Sequence, residues 1–226
     1  VLRNREDWKG FKKGSRFGES AKAFVVEDRS GAVIGYAAFD DSKDRVNIVE
    51  IGAVKDDIFG TLLNEFARMA VTLRVETINM FIPPDHPFTE YCHRYGCESW
   101  SRYPKSSDGM MRIINLKTLF EKIREELQQR ISDSEFENYK GSLEIKTDIG
   151  EVTLLIKNGH IEIRREHKGE SLLDLPQAKR MQLIAGYRSI RDILNNSDVK
   201  ARGNIEALIK ILFPKSNPWI WLPDHF

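Results

Sequence analysis

Five histidines and two cysteines have the most scope for catalysis, and their spacing fits none of the common constellations. His86, His93, His160, His167 and His225 are scattered along the chain, outside any HExxH or GxSxG context. His160 alternates with Ile161 and Ile163, which predicts a solvent-facing position, and an ordinary surface role is the expectation for the other four. Cys92 and Cys97 form neither a CxxC pair nor a Cys/His set of zinc spacing, so no metal site is expected and both read as packing residues. There is no GxxxxGKS/T and no GxGxxG phosphate loop. Asp56 and Asp57 stand directly ahead of a helical apolar pattern. Carboxylates suit the positive end of a helix and repel a phosphate there.

The C-terminal stretch LFPKSNPWIWLPDHF is unusual. Pro214, Pro218 and Pro223 forbid a regular helix or a central strand across it, yet it carries Phe213, Trp219, Ile220, Trp221, Leu222 and Phe226. A terminus of this kind frays unless something holds it. From Pro218 to Phe226 the chain spans up to roughly 30 Å when extended, enough to leave its own domain. Two readings stand: a tail packed on its own domain, or one whose aromatics bury against another surface.

Composition narrows the class. Lys and Arg number 35 against 34 Asp and Glu in 226 residues, a balance without the basic excess of a nucleic-acid footprint. No apolar run approaches the length of a membrane span, and the charged first 20 residues lack the apolar core of a signal peptide. The expectation is a soluble, cytoplasmic, metal-free protein without nucleic-acid or membrane partners. The chain opens on Val1, which reads as a processed start or as a piece of something longer.

The elements that must position any site fall into two groups. A hairpin is predicted over Lys22–Asp40 with its turn at Asp28–Gly31, then a strand at Arg45–Val54. A helix over Asp57–Arg74 follows, with Ile58, Leu62, Phe66, Met69 and Leu73 on one face. Thr77–Ile82 reads as a strand, His86–Tyr95 as a short helix ended by Gly96, and Glu98–Arg102 and Met110–Ile114 as two short strands. After a loop at Pro104–Gly109, a long helix runs from about Leu116 to Ile131 with Leu119, Ile123, Leu127 and Ile131 inward. Strands follow at Ser142–Asp148, Glu151–Lys157 and His160–Arg165. The last two are joined by Asn158-Gly159, a strong hairpin signal. Helices are predicted near Pro176–Tyr187, Ile190–Asn195 and Asn204–Leu212. The fold class is α/β followed by α+β, with domains over residues 1–115 and 116–226.

The segment AFVVEDRSGAVIGYAAFD resembles the central hairpin of GNAT acetyltransferases. IGAVKDDIFGTLLNEFARMA with TINMFIPPDHPFTEYCHRYGCES resembles their strand–helix–strand–helix portion. The family's Arg/Gln-x-x-Gly-x-Gly/Ala turn, whose backbone N–H groups hold the cofactor pyrophosphate at a helix N-terminus, is missing: Val54 passes through Lys55, Asp56 and Asp57 into the helix. The tyrosine common near the YEKLGF-like segment is displaced too, with Cys92 in its place and Tyr91 one residue earlier. The second half, in GEVTLLIKNGHIEI and LIAGYRSIRDIL, resembles a sterol-carrier-protein-type domain. In this order the halves resemble the last two-thirds of enhanced-intracellular-survival-type acetyltransferases, which have an active N-terminal GNAT domain, a degenerate central one and a sterol-carrier-like C-terminal domain.

That resemblance implies a degenerate GNAT-type mixed sheet followed by a sterol-carrier-like α+β domain. It implies no cofactor in this chain and acetyl-CoA in an N-terminal domain outside it, which is the expected partner, with possible homo-oligomers. The activity implied is N-acetylation of an amine substrate. In the family the C-terminal carboxylate enters the N-terminal domain's active site as a base, and here that residue is Phe226, with Trp219 and Trp221 expected beside the substrate. Desolvation would raise an α-carboxyl from its ordinary value near 3.5 toward a useful range. By itself the chain is expected to be inactive. The rival reading is a lipid-binding sterol-carrier-like module on a GNAT scaffold; a core filled by its own side chains is the expectation against it.

Overall fold

The computed structural model describes residues 21–40, 44–101, 111–165 and 168–221. They divide into two compact units: residues between 21 and 101 together with Trp219–Trp221, and residues between 111 and 218. This differs from the division drawn from the sequence at residue 115. Ile113 is buried in the second unit's core, and Trp221 packs on the first unit's core.

In the first unit, β1 (Ala21–Glu27), β2 (Val33–Asp40) and β3 (Val46–Ala53) form an antiparallel meander. A four-residue turn leads into α1 (Ile58–Leu73), and β4 (Ile78–Met80) pairs parallel to β3, giving the order β1-β2-β3-β4. A short helix, α2 (Pro87–Cys92), follows and tightens into a 3₁₀ turn at His93–Tyr95.

β3 is buried along most of its length, as suits a central strand. Its register slips where Ala38 faces Glu50 and Phe39 faces Ile48, a bulge at Val49. In the regular register ahead of the slip, the Tyr36 hydroxyl donates to Glu50 Oε1 at 2.7 Å. Next to it Asn79 Nδ2 donates to Asn47 Oδ1 at 3.0 Å, across two registered strands. These bonds satisfy polar groups that would otherwise cost stability when buried.

Helix α1 turns Phe59, Leu62, Phe66 and Ala70 inward. Of the stripe predicted from periodicity, Leu62 and Phe66 are fully buried, while Ile58, Met69 and Leu73 line its flank. Arg74 ends the helix in the left-handed region, its N–H reaching back to the last turn. Phe24, Phe39 and Phe66 meet with ring centroids 5.2–5.9 Å apart.

The second unit begins with α3 (Leu116–Ser132), capped by Asn115, whose side chain accepts from the Thr118 N–H. Three antiparallel strands follow: β5 (Lys140–Thr147), β6 (Gly150–Lys157) and β7 (His160–Arg164). The β6–β7 turn has φ of 49° at Asn158 and 78° at Gly159, the left-handed pair that Asn-Gly was expected to supply. Two strands go beyond the predicted three: β8 (Ser171–Asp174), parallel to β5, and β9 (Lys200–Arg202), antiparallel to β8. The sheet order is β7-β6-β5-β8-β9.

Helices α4 (Gln177–Ile184), α5 (Ile190–Leu194) and α6 (Glu206–Leu212) complete this α+β unit. Its buried side chains form one continuous cluster that includes Phe120, Leu127, Leu143, Leu154, Ile193 and Phe213. Arg130 ties α3 to the end of α6, its Nη1 donating to the Leu212 carbonyl at 2.7 Å.

The strands predicted at Glu98–Arg102 and Met110–Ile114 do not form in their described residues, 98–101 and 111–114. All of 98–101 is exposed, Trp100 at 90%, and in 111–114 Ile113 alone is buried, so neither segment has the alternating packed face that holds a strand.

Candidate functional site

The first unit's chemistry is set by how β3 ends and α1 begins. The turn between them folds onto itself: the Ile58 N–H donates to the Lys55 carbonyl at 3.2 Å and the Phe59 N–H to the Asp56 carbonyl at 3.1 Å. Two amides that could face an anion at a helix entrance are spent on the turn. Asp57 occupies the cap position without a side-chain cap bond. Outside lies a hollow of about 560 Å³ lined by Asp56, Asp57, Asp85, Pro87, Glu90, Tyr91 and Arg94. Four carboxylates face a single cation there, and that cation already lies 5.3 Å over the Tyr91 ring.

β3 and β4 are paired over three residues only, Val46–Ile48 against Ile78–Met80. One more backbone bond follows, from the Phe81 N–H to the Ile48 carbonyl at 2.8 Å. Past that point the chain turns away, and among the described residues no strand covers this edge of β3 beyond Ile48. Ile82 and Phe88 are buried in the same core as Ile51, and the Ile51 backbone is among the groups felt at the His86 imidazole.

His86 is the residue that sequence reasoning missed. It is half-buried and caps α2, with Nδ1 accepting the Phe88 N–H at 3.1 Å. Its ring lies 6.3 Å from Phe59 and 5.7 Å from Trp221, the latter edge-on at 82°. Burial pushes the imidazole below its ordinary range, and Asp85 and the Ile51 backbone offset that in part. The signal was present in the sequence: Pro87 prefers the first helical position, which makes the residue before it the cap.

The other predicted residues are spread out. His93 and His160 are exposed, while His167, His225 and Phe226 lie outside the described residues. Trp219 is 41% exposed, and Trp221 packs against the first unit's core. Cys92 is buried and its thiol is pushed up to about 11 by desolvation, with Cys97 adding to the effect. It is a packing residue, and its sulfur lies 3.9 Å from that of Met80. Among the described residues no cluster of His, Cys, Asp and Glu could hold a metal ion, and no helix is long and apolar enough to cross a membrane.

In the second unit the unusual group is Arg180, 1% exposed. Its Nη2 donates to the Lys146 carbonyl at 2.7 Å, and Asp148 and Asp174 are the charges it feels. Asp148 also caps α4 by accepting the Gln177 N–H at 2.7 Å. Nη1 of Arg180 has no hydrogen-bond partner among the described residues. The arrangement ties the ends of β5 and β8 to the first turn of α4.

No protein-family model matches the sequence, and no curated protein matches it either. Solved structures do. A GCN5-related N-acetyltransferase from Anabaena variabilis ATCC 29413 matches with TM-score 0.62 and 16% identity over 99% of this chain and 55% of its own. A probable N-acyltransferase from Enterococcus faecalis V583 matches with TM-score 0.56 and 14% identity over 88% of this chain and 49% of its own. One from Kribbella flavida, also a GCN5-related N-acetyltransferase, matches with TM-score 0.58 and 15% identity over 93% of this chain and 50% of its own. This chain thus spans about half the length of these three structures, and at these identities the likeness is one of fold: the chain has a GNAT-type architecture extended by an α+β unit.

Proposed function

We propose that this chain is the non-cofactor-binding portion of an acetyl-CoA-dependent N-acetyltransferase acting on amines. In this reading it shapes the acceptor side of a site whose cofactor is held by an N-terminal GNAT domain, and it presents the Phe226 carboxylate as the base that takes the acceptor's proton. The observation that carries the reading is the entrance to α1. Its first amides bond to the Lys55 and Asp56 carbonyls, and four carboxylates surround the hollow outside. A pyrophosphate needs free N–H groups and a positive field. These residues do not fit one.

One further fact supports it: Trp221 packs on the first unit's core.

Titration calorimetry with acetyl-CoA on this chain is expected to show no saturable binding; micromolar binding would overturn the reading. The role of Phe226 is tested in a protein that also carries the N-terminal domain, by adding one residue after it. A general base contributes on the order of 10²–10⁴ in rate, so turnover should fall by about that factor with folding intact. Turnover within about twofold of wild type would leave the tail as packing only.

A further inference from the structure

Where the chain leaves the second unit's core, its next fixed point lies on a glycine. Phe213 is the last residue of that core, buried and with its ring edge-on to Phe120 at 6.2 Å. Every residue over 214–218 is exposed. Among the described residues a single hydrogen bond ties this stretch to the rest of the fold: the Ser216 N–H donates to the Gly186 carbonyl at 2.8 Å.

Gly186 closes the end of α4. Its N–H returns to the Leu183 carbonyl at 3.0 Å and the Tyr187 N–H to that of Gln182 at 2.8 Å. Its φ of 74° is the left-handed value at which helices end on glycine. The tail adds a second demand. A Cβ on Gly186 would overlap the Ser216 hydroxyl and come within 3.1 Å of both the Ser216 Cβ and the Pro214 carbonyl oxygen. The hydroxyl can turn aside, but the carbonyl belongs to the backbone, so the tail itself would have to shift. Gly150, also at positive φ, has nothing within 4 Å of that position. There the backbone conformation alone asks for glycine, whereas at Gly186 the seated chain asks for it as well.

We infer that Gly186 is the positioning residue of the tail: its missing side chain makes the seat in which residues 214–218 lie, and its carbonyl holds them there. Pro214 and Pro218 restrict φ at both ends of the seated stretch. A displacement at Ser216 is therefore carried along the chain toward Trp219 rather than absorbed on the spot. The inference rests on residues 186 and 213–218 alone and holds whether or not Phe226 is a base.

The test is amide hydrogen exchange and ¹⁵N relaxation of this chain by NMR. In the wild type the Ser216 amide should exchange about tenfold more slowly, relative to its intrinsic rate, than those of Lys215 and Asn217, since it is the bonded one of the three. Gly186→Ala should remove that protection and lower the order parameters of Lys215, Ser216 and Asn217 from about 0.85 to below about 0.6, with the amides of β5 and β6 unchanged. Gly150→Ala, equally strained in φ but without a contact at its Cβ, should leave the Ser216 amide protected. Ser216→Gly keeps the donor and removes the overlapped side chain, so adding it to Gly186→Ala should slow exchange at residue 216 again by about threefold. The seat is overturned by a Ser216 amide that exchanges like its neighbours in the wild type, or by one that stays protected in Gly186→Ala. A double variant no better protected than Gly186→Ala would overturn it too, because strain in φ would then account for the whole effect.

Discussion

Arg180 in the second unit and His86 in the first are both basic side chains drawn out of water, and the outcomes differ. Burial pushes Arg180 down to about 9, so it stays charged at neutral pH even though it is almost wholly enclosed. Its charge is kept by Asp148, Asp174 and the Lys146 carbonyl. His86 is lowered from a much lower starting point and is neutral, with one nitrogen used as an acceptor. The lesson concerns where each unit can change. A guanidinium starts so far above neutrality that burial cannot discharge it, whereas an imidazole starts within reach of cellular pH. The second unit is therefore tied by a permanent charge, and the first by a conditional one.

The comparison is broken most directly at Arg180. Arg180→Ala removes the tie between β5, β8 and α4 and leaves a cavity, and is expected to cost about 3 kcal/mol in urea denaturation. Arg180→Met fills much of that space and is expected to cost about 1 kcal/mol. Equal costs for the two would mean that the charge, not the packing, holds this corner. Trp221→Ala comes next, at about 2 kcal/mol from lost aromatic burial. It should also raise the His86 titration toward 6.5 in an NMR experiment, since the ring that shields it is gone. The smallest effect belongs to the cap itself. His86→Leu should cost about 1 kcal/mol more than His86→Asn, because leucine offers the Phe88 N–H no acceptor.

Local signals were legible, and long-range ones were not. The Asn158-Gly159 turn, the meander of the first unit and the span of α1 follow from residues within a few positions of each other. The inward face of α1 did not follow completely: Phe59 and Ala70 are buried and Ile58 is not, because where the sheet lies decides which side of a broad apolar stripe is covered. β8 and β9 escaped for a related reason. SLLD is four residues long and pairs in parallel with a strand far back in the chain, and KAR is exposed throughout, so neither carries a pattern of its own. At the candidate site, the carboxylates at the entrance to α1 could be read from Asp56 and Asp57 directly. The place of Trp221 could not, since nothing in a proline-spaced tail says which surface receives it.

The burial of Cys92 has a consequence for anyone who handles the protein. Thiol reagents and oxidants attack the thiolate, and a thiol pushed up to about 11 presents almost none of it at neutral pH. Cys97, partly exposed, is left as the position that maleimides reach. The chain thus comes with one usable attachment point for a spectroscopic probe, on the first unit and a few residues beyond α2, without any cysteine having to be removed.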